Sequence, residues 1–301
     1  MSKSKFKPFT SKIPTLAEWS KNFRHRQASA PRATLASPSI AGLGTWTMTL
    51  KDNGFKRVIA LEPVPAYNHW ITGLSEQSKG IVEVLKKDGY DWETYIGLKE
   101  PQYLGELENK DWTHVHPGIF FTGTLPKGSR GEQLLAQFMT CITNKMALFT
   151  MGRIQMALWI PDSLFYKITA APGTNARCKM SVIAEACADV MPICSTGPKD
   201  VYPHGEYHLV HIIPFAESQI KSQWDVFEYV LKHLFVMQKK PLSHMVRTLG
   251  PGADIILGRL SFDPQILIGT MTAMQLDEVA TKFDEWPLRP RVLFEDASVF
   301  T

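Results

Sequence analysis

Short apolar runs alternate with amphipathic stretches through the middle of the chain. Between these runs, residues 132–142 carry an apolar stripe at helical spacing, and Pro161 can open a further helix that runs to Ile168. The alternation is typical of an open, mostly parallel α/β sheet of the nucleotide-binding kind. The runs with the length and composition of buried strands are 57–61, 80–85, 119–122, 154–160 and 209–213.

The pattern changes near residue 218, where the strand-like runs stop. Apolar residues then recur at helical spacing over residues 224–234, with Lys239 and Lys240 and then Pro241 expected to end that helix, and two shorter helical patterns follow. We therefore predict three parts: a basic leader over residues 1–40, an α/β domain over 41–217 and a small all-helical domain over 218–301.

Basic residues are concentrated at the N-terminus. The first 60 residues hold 11 Lys and Arg against 2 Asp and Glu, whereas residues 61–218 hold 13 against 17 and residues 219–301 hold 9 against 10. A Ser-rich, acid-poor, basic leader suits mitochondrial import. The same residues could instead neutralise phosphates as a flexible arm, or form a solvated tail. The scarcity of acids, with Glu18 alone among the first 51 residues, favours import.

The rest of the composition excludes several classes of protein. A content of 44% hydrophobic and 21% charged residues is ordinary for a globular chain, and no window approaches the ~18 apolar residues of a membrane span. The four cysteines lack metal or disulfide spacing and are expected to be reduced core thiols. His208 and His211, three apart on a predicted strand, point to opposite faces and do not form a metal site with His204.

A glycine motif supplies the first candidate chemistry. Gly42 and Gly44 precede the strand that ends in Glu62, a spacing that lets backbone approach a nucleotide-like ligand while the acid holds ribose hydroxyls. However, residues 33–39 offer no apolar run of strand length in front of the glycines, and Pro38 stands where an acid is expected. The sequence thus predicts a partly lost cofactor pocket.

Several motifs resemble those of the rRNA adenine N6-dimethyltransferases. These are the Gly-x-Gly-x-x-Thr run at 42–47, the strand and acid at 59–62, the stretch 84–88, the Pro-Gly turn and helix at 168–184, and Phe, two lysines and Leu at 235–242. The stretches 89–95, 152–159 and 283–290 are most similar to the fungal mitochondrial transcription factor B branch, and the resemblance covers about residues 41–296.

This resemblance implies a Rossmann-like class I methyltransferase sheet with a small C-terminal all-helical domain. It also implies S-adenosylmethionine as the cofactor, with weak binding or none expected here. The residues it assigns to that cofactor are Gly42, Gly44, Glu62 and Asp88.

The catalytic motif of the resembled family is altered. Methylation of adenine N6 needs an acceptor for the exocyclic amine and an aromatic ring that stacks the flipped base. The family supplies both in Asn-Leu-Pro-Tyr or Asn-Leu-Pro-Phe, whereas this chain has Thr124, Leu125, Pro126 and Lys127. A threonine hydroxyl replaces the amide poorly, and a lysine cannot stack a base. We therefore expect no methyl transfer, although the loop can still touch a phosphate.

Three functions remain open at this stage. The first is a mitochondrial transcription initiation factor in the matrix, a monomer that binds promoter DNA and the mitochondrial RNA polymerase. The second is an active S-adenosylmethionine-dependent mitochondrial rRNA adenine N6-dimethyltransferase, and the third is a structural component of the mitochondrial ribosome. The candidate nucleic-acid contacts are Lys127, Arg130, Arg153, Arg177, Lys179, Lys239 and Lys240.

Overall fold

The computed structural model describes residues 33–37, 45–52, 54–105, 107–200, 205–291 and 293. Within these residues, seven strands form one sheet in the order β3-β2-β1-β4-β5-β7-β6. The strands are β1 (Ala33–Ser37), β2 (Val58–Leu61), β3 (Val82–Leu85), β4 (Val115–Thr124), β5 (Arg153–Pro161), β6 (Ala188–Ser195) and β7 (Tyr207–Pro214).

The first five strands run parallel. β1 pairs with β2 on one side and β4 on the other, β2 pairs with β3, and β4 pairs with β5. β7 lies antiparallel to β5. Because the strand order reverses at β1, the carboxyl ends of β1 and β4 flank a topological switch point, where open α/β sheets bind their ligands.

Strand β1 corrects the prediction that no strand precedes the glycine motif. Its backbone pairs from Thr34↔Val58 to Ala36↔Ala60 with β2 and from Ala33↔Ile119 to Ser37↔Gly123 with β4. A central strand is stabilised by neighbours on both sides, so tertiary pairing overrides a local composition that lacks an apolar run. The segment 38–44 that joins β1 to the next helix, with Gly42 and Gly44, lies outside the described residues.

The helices follow the predicted alternation over the sheet and continue after it. Residues 132–142 and 161–168, expected to be helical, fall within or next to α4 and α5. The helices are α1 (Thr45–Asp52), α2 (Pro65–Gln77), α3 (Trp92–Gly97), α4 (Ser129–Thr143), α5 (Asp162–Ile168), α6 (Lys179–Cys187), α7 (Trp224–Leu234), α8 (Leu242–Met245) and α9 (Ala273–Asp284).

Helix α1 is anchored on the sheet by a tryptophan. The Trp46 indole Nε1 donates to Thr122 Oγ1 at 3.0 Å, and its ring meets Trp159 edge to face with centroids 6.0 Å apart. Thr122 in turn donates to the carbonyl of Ala157 at 2.6 Å. Because Thr122 and Trp159 lie near the carboxyl ends of β4 and β5, this network places the start of α1 at the ligand-binding edge of the sheet.

Contacts divide the described chain into two compact units. One comprises the described residues up to Phe165 together with Asp189–Glu217, and the other comprises Tyr166–Ala188 and the described residues from Ser218 onward. The division near residue 217 coincides with the end of the strand-like runs. Residues 166–188, which the sequence pattern assigned to the α/β domain, group instead with the helical unit because α6 packs against α9.

The second unit is built around aromatic residues of α7 and α9. Tyr229 stacks on Phe283 with centroids 5.4 Å apart, and its hydroxyl donates to the carbonyl of Leu249 at 3.1 Å. Helix α7 ends at Leu234 and a 3-10 turn continues to Met237, so the helix stops earlier than the predicted end at the two lysines. Among the helices described, none is both long and apolar enough to cross a bilayer.

Candidate nucleoside and nucleic-acid sites

Acidic residues follow β2 and β3 at the carboxyl edge of the sheet. Glu62 comes directly after β2, and Asp88 lies in the turn after β3. The altered catalytic motif begins at Thr124, the last residue of β4. These three positions lie at the same edge because the parallel strands β2, β3 and β4 all end there. The geometry is that of an open-sheet ligand site.

Glu62 is buried, with 1% of its surface exposed. One carboxylate oxygen accepts a hydrogen bond from the Val64 amide at 2.9 Å. Burial raises the pKa of Glu62 to about 7, and the negative charge of Asp88 adds to the rise, although the Val64 bond opposes it. Near neutral pH this carboxyl group therefore exists in both protonation states, and it can donate to or accept from a ligand hydroxyl.

Asp88 is held in place from two sides. Its Oδ1 accepts from the Tyr90 amide at 2.9 Å, and its Oδ2 lies 3.3 Å from Arg130 Nη2. The Arg130 guanidinium also sits over the Tyr90 ring, 4.1 Å from the centroid. Arg130 is in the first turn of α4, so the helix that follows the catalytic motif reaches back to the acid that follows β3.

The segment that starts at Thr124 is fixed by backbone contacts. The Leu125 amide donates to the carbonyl of Trp159 at 2.8 Å, and the Leu125 side chain is 2% exposed. A Cβ atom placed on Gly131 would lie 2.0 Å from the Pro126 carbonyl oxygen. Only glycine therefore allows the first turn of α4 to pack this closely on the Leu-Pro turn, and the turn keeps its place despite the altered residues around it.

Lys127 points along the edge toward β7. Its Nζ lies 5.8 Å from the centroid of the Tyr207 ring, and its side chain also lies close to Gly205. Burial raises the pKa of Tyr207, and the neighbouring Tyr90 phenol adds to the rise. A cation and two phenols therefore line this edge where the resembled family places an aromatic ring. Sequence reasoning missed both tyrosines, although Tyr90 follows the predicted acid by two residues.

The remaining candidate cations are dispersed, and one of them was wrongly interpreted. Arg153 opens β5 and so lies at the opposite edge of the sheet from Glu62. Arg177, predicted to contact nucleic acid, is 2% exposed and cannot present its charge to a phosphate. Lys179 is paired with Glu228 at 3.0 Å.

Lys239 and Lys240 are exposed, and a short apolar surface adjoins them. Val236 is 71% exposed and Met237 51% exposed. The Lys240 carbonyl accepts from the Ile268 amide at 3.0 Å, which fixes the backbone of the pair on the second unit. Among the predicted cations of this unit, these two lysines are the ones that the structure leaves accessible and outside the ion pairs it describes.

The histidines proposed above not to bind metal make other contacts. His208 Nε2 lies 2.8 Å from Asp162 Oδ1, and its ring stacks on Phe165 with centroids 4.0 Å apart. His211 Nε2 lies 3.0 Å from the side-chain oxygen of Gln155. His204 lies outside the described residues. In the part of the chain that the structure describes, no three His, Cys, Asp or Glu side chains come together as a metal site would require.

The donor set at the edge fits the nucleoside half of S-adenosylmethionine. Glu62 offers a buried carboxyl group for a ribose diol, and Asp88 offers an acceptor for an amine. In α1, the Thr47 hydroxyl is fully buried and forms no hydrogen bond within the part of the chain that the structure describes. The fit does not extend to the acceptor base, because Thr124 and Lys127 replace the amide and the ring.

Five parallel strands with β7 antiparallel beside β5, and acids after β2 and β3, define a Rossmann-like α/β methyltransferase fold. Solved structures confirm this fold. A dimethyladenosine transferase from Plasmodium falciparum superposes with a TM-score of 0.66 over 92% of this chain and 98% of its own, at 12% identity. The 23S rRNA methyltransferase ErmE gives a TM-score of 0.57 over 92% of this chain and 100% of its own, at 13% identity.

The family model for ribosomal RNA adenine dimethylase matches residues 40–270, and the chain belongs to that family. Similar curated proteins include mitochondrial transcription factor 1 of Saccharomyces paradoxus, which is 27% identical over 73% of this chain and 71% of its own length. The protein of the same name from Saccharomyces cerevisiae gives the same values. A mitochondrial dimethyladenosine transferase 1 from Xenopus tropicalis is 24% identical over 70% of this chain and 59% of its own.

Proposed function

We propose that this protein is a mitochondrial transcription initiation factor that binds nucleic acid and the mitochondrial RNA polymerase and supports promoter melting. The observation that carries the proposal is the segment from Thr124 to Lys127. It sits at the end of β4 with its backbone intact, but it offers neither an amide acceptor nor a ring for a flipped adenine. The similarity to two proteins named mitochondrial transcription factor 1 supports the same function.

The altered motif is expected to lower the rate of methyl transfer so far that the chain is inactive. One lost electrostatic contact in an active site commonly lowers the rate by roughly 100-fold or more. Here two contacts are replaced, and Lys127 adds a positive charge beside the Tyr207 ring. S-adenosylmethionine, when bound, would supply the methyl group, with Glu62 and Asp88 holding its nucleoside. These residues are a remnant of the cofactor site in this proposal, so cofactor binding is weak or absent.

Nucleic acid binds, in this proposal, to exposed cations rather than to the buried Arg177. Lys239 and Lys240 form the main contact on the second unit, and Lys127 contributes from the sheet edge. The basic leader over residues 1–40 directs the chain to the mitochondrial matrix, where it acts as a monomer. The relatives' names, which include the word mitochondrial, support this location.

A second candidate is an active mitochondrial rRNA adenine N6-dimethyltransferase. Glu62 and Asp88 at the ends of β2 and β3 favour it, since both acids remain at the ligand-binding edge of the sheet. The family match is equally compatible with this activity. The two candidates differ in what Thr124 and Lys127 can do for an acceptor base.

Two titrations on the same purified chain separate the candidates. Calorimetry measures S-adenosylmethionine affinity, and fluorescence anisotropy measures binding to a DNA duplex that contains an unpaired bubble, with the fully paired duplex as control. The proposal predicts tight binding to the bubble, weaker binding to the paired duplex, and no methyl transfer to a small-subunit rRNA hairpin. Micromolar cofactor affinity together with methyl transfer to that hairpin would refute it.

Polymerase binding needs its own measurement. The proposal predicts that mitochondrial RNA polymerase and this protein together open a promoter that neither opens alone, monitored by 2-aminopurine fluorescence in the promoter. A chain with Lys239→Ala and Lys240→Ala should open it less at physiological salt, because promoter contact is weakened. Promoter opening by the polymerase that is unaffected by this protein would contradict the proposed role.

A further inference from the structure

We infer that Arg130 occupies the base subsite of the nucleoside site, so that the chain's own guanidinium holds the place of an adenine-type base. The inference concerns Asp88, Tyr90 and Arg130, which lie at the carboxyl edge of the sheet. It does not depend on the transcription role, because it would hold for any function of the edge.

The subsite has the two side-chain groups that a planar, amine-bearing base requires, an acceptor and a ring face. Asp88 provides a carboxylate acceptor, and Tyr90 provides a ring face for stacking. Glu62 and Asp88 follow neighbouring strands, since Leu61 pairs with Leu85 and the Glu62 amide donates to the Leu85 carbonyl at 3.0 Å. The ends of neighbouring parallel strands are where open α/β sheets bind their ligands, so one nucleoside can contact both acids.

The Arg130 guanidinium contacts the Asp88 carboxylate and the Tyr90 ring at the same time. A guanidinium is planar, carries N–H donors in its plane and stacks on aromatic faces, and in these respects it resembles the amino edge of adenine. Its Nη2 lies 3.3 Å from Asp88 Oδ2, and its Cζ lies 4.1 Å from the Tyr90 centroid. An adenine could not use the same carboxylate oxygen and the same ring face while Arg130 remains there.

The ion pair between Arg130 and Asp88 is weak enough for a nucleoside to displace, and its removal should change nucleoside affinity by a measurable amount. The Arg130 side chain is 63% exposed and that of Asp88 37%, so water screens the ion pair. We expect removal of Arg130 to tighten adenosine binding about ten-fold, which corresponds to about 1.4 kcal/mol. The ligand class is a nucleoside with an exocyclic amine on its base.

The experiment compares the full chain with Arg130→Ala by calorimetric titration of adenosine and of S-adenosylhomocysteine. Lys145→Ala serves as the matched control, because it removes a cation that lies 5.2 Å over the Trp112 ring and contacts neither acid. The expected result is tighter binding in Arg130→Ala and no change in Lys145→Ala. Equal affinity in the unmodified chain and Arg130→Ala, with both folded by circular dichroism, would overturn the inference.

A second variant tests whether the tighter adenosine binding of Arg130→Ala depends on Asp88. Adding Asp88→Asn to Arg130→Ala should abolish most of the gain for adenosine, since an amide offers a weaker acceptor to the amine. Purine riboside, which lacks the 6-amino group, should gain little from Arg130→Ala. If purine riboside gains as much as adenosine, the base does not lie against Asp88 and the inference fails. Bubble DNA binding, measured in parallel, separates this failure from that of the proposed function.

Discussion

Replacing Arg177 by alanine should destabilise the helical unit rather than selectively weaken nucleic-acid binding. The Arg177 side chain is 1% exposed. Its guanidinium donates to the carbonyls of Ala170 at 3.0 Å and Met271 at 3.1 Å and pairs with Glu185 at 2.5 Å. The other Glu185 oxygen accepts from the Ala273 amide at 3.0 Å. One arginine thus joins the turn after α5, helix α6 and the start of α9.

The expected loss follows from what the substitution leaves behind. Two buried carbonyls lose their donor, and Glu185 loses its counter-charge. Removing one partner of a buried ion pair costs about 3–5 kcal/mol, and the lower end applies here because Glu185 is 37% exposed and gains water. The helical unit, Tyr166–Ala188 with Ser218–Thr301, has about 100 residues. At roughly 4–8 °C per kcal/mol for a domain of that size, a loss of about 3 kcal/mol lowers its melting temperature by about 12–24 °C.

Scanning calorimetry checks the shift, with near-ultraviolet circular dichroism reporting the packing of Trp224 and Trp286. Lys179→Ala is the matched control, because Lys179 forms a half-exposed ion pair with Glu228 and should cost less than about 1 kcal/mol. An Arg177→Ala chain that melts at the unmodified temperature but has lost affinity for bubble DNA would refute the reasoning. That result would restore the nucleic-acid contact expected from the sequence.

Three further predictions concern other parts of the chain. The pKa of Glu62 is about 7 in the folded chain against an ordinary 4.5, so the free energy of unfolding should fall by up to about 3 kcal/mol as pH rises from 4.5 to 7. Urea titrations at pH 5 and 8 measure this fall, and Glu62→Gln should remove it. An equal fall in the unmodified chain and in Glu62→Gln would contradict the prediction. The logarithm of the affinity for single-stranded nucleic acid falls linearly with the logarithm of salt concentration, and the double variant Lys239→Ala, Lys240→Ala should make this slope shallower by about 1.4. An unchanged slope would show that neither lysine contacts the nucleic acid. The Asp277 carboxylate accepts hydrogen bonds from the Lys221 amide and from the Ser222 amide and hydroxyl. Asp277→Asn should therefore lower the free energy of unfolding, measured in urea, by about 1–3 kcal/mol. A change below about 0.5 kcal/mol would show that these bonds add little to stability.

Four of the five strands that the sequence predicted share one physical property, and β3, which is mostly half-buried, is the exception. β2, β4, β5 and β7 are buried almost throughout, so their residues form apolar runs that stand out along the chain. β6 is mostly half-buried, with Pro192 and Ser195 exposed, and its pattern was not recognised. Local composition therefore identifies strands covered on both faces, and it misses strands whose position in the sheet comes from their neighbours.

The same limit explains which site residues were predicted. Glu62 was predicted because it ends an apolar strand run, whereas Asp88 was assigned only by the resemblance to the dimethyltransferases; the structure places both at the carboxyl ends of neighbouring parallel strands. Arg177 was misassigned because residues 171–176 before it form an exposed loop, as the sequence suggests, while its own burial depends on the Met271 carbonyl, 94 positions away. Contacts over such separations leave no periodicity in the sequence. Charge and local context alone cannot distinguish a phosphate contact from a buried structural arginine.

The presence of β1 bears on whether cofactor binding and methyl transfer are expected to be lost together. Had this strand been absent, the sheet would have lacked its centre, and cofactor binding and catalysis would have been lost together. With β1 paired on both sides, the ends of β2 and β3 keep their acids at the sheet edge, and the differences from the family motif fall on Thr124, which ends β4, and on Lys127. A nucleoside site can then persist beside an acceptor site that, under the proposed function, does not support methyl transfer. Under this reasoning, cofactor affinity and methyl transfer are separate properties of this chain, and each needs its own measurement.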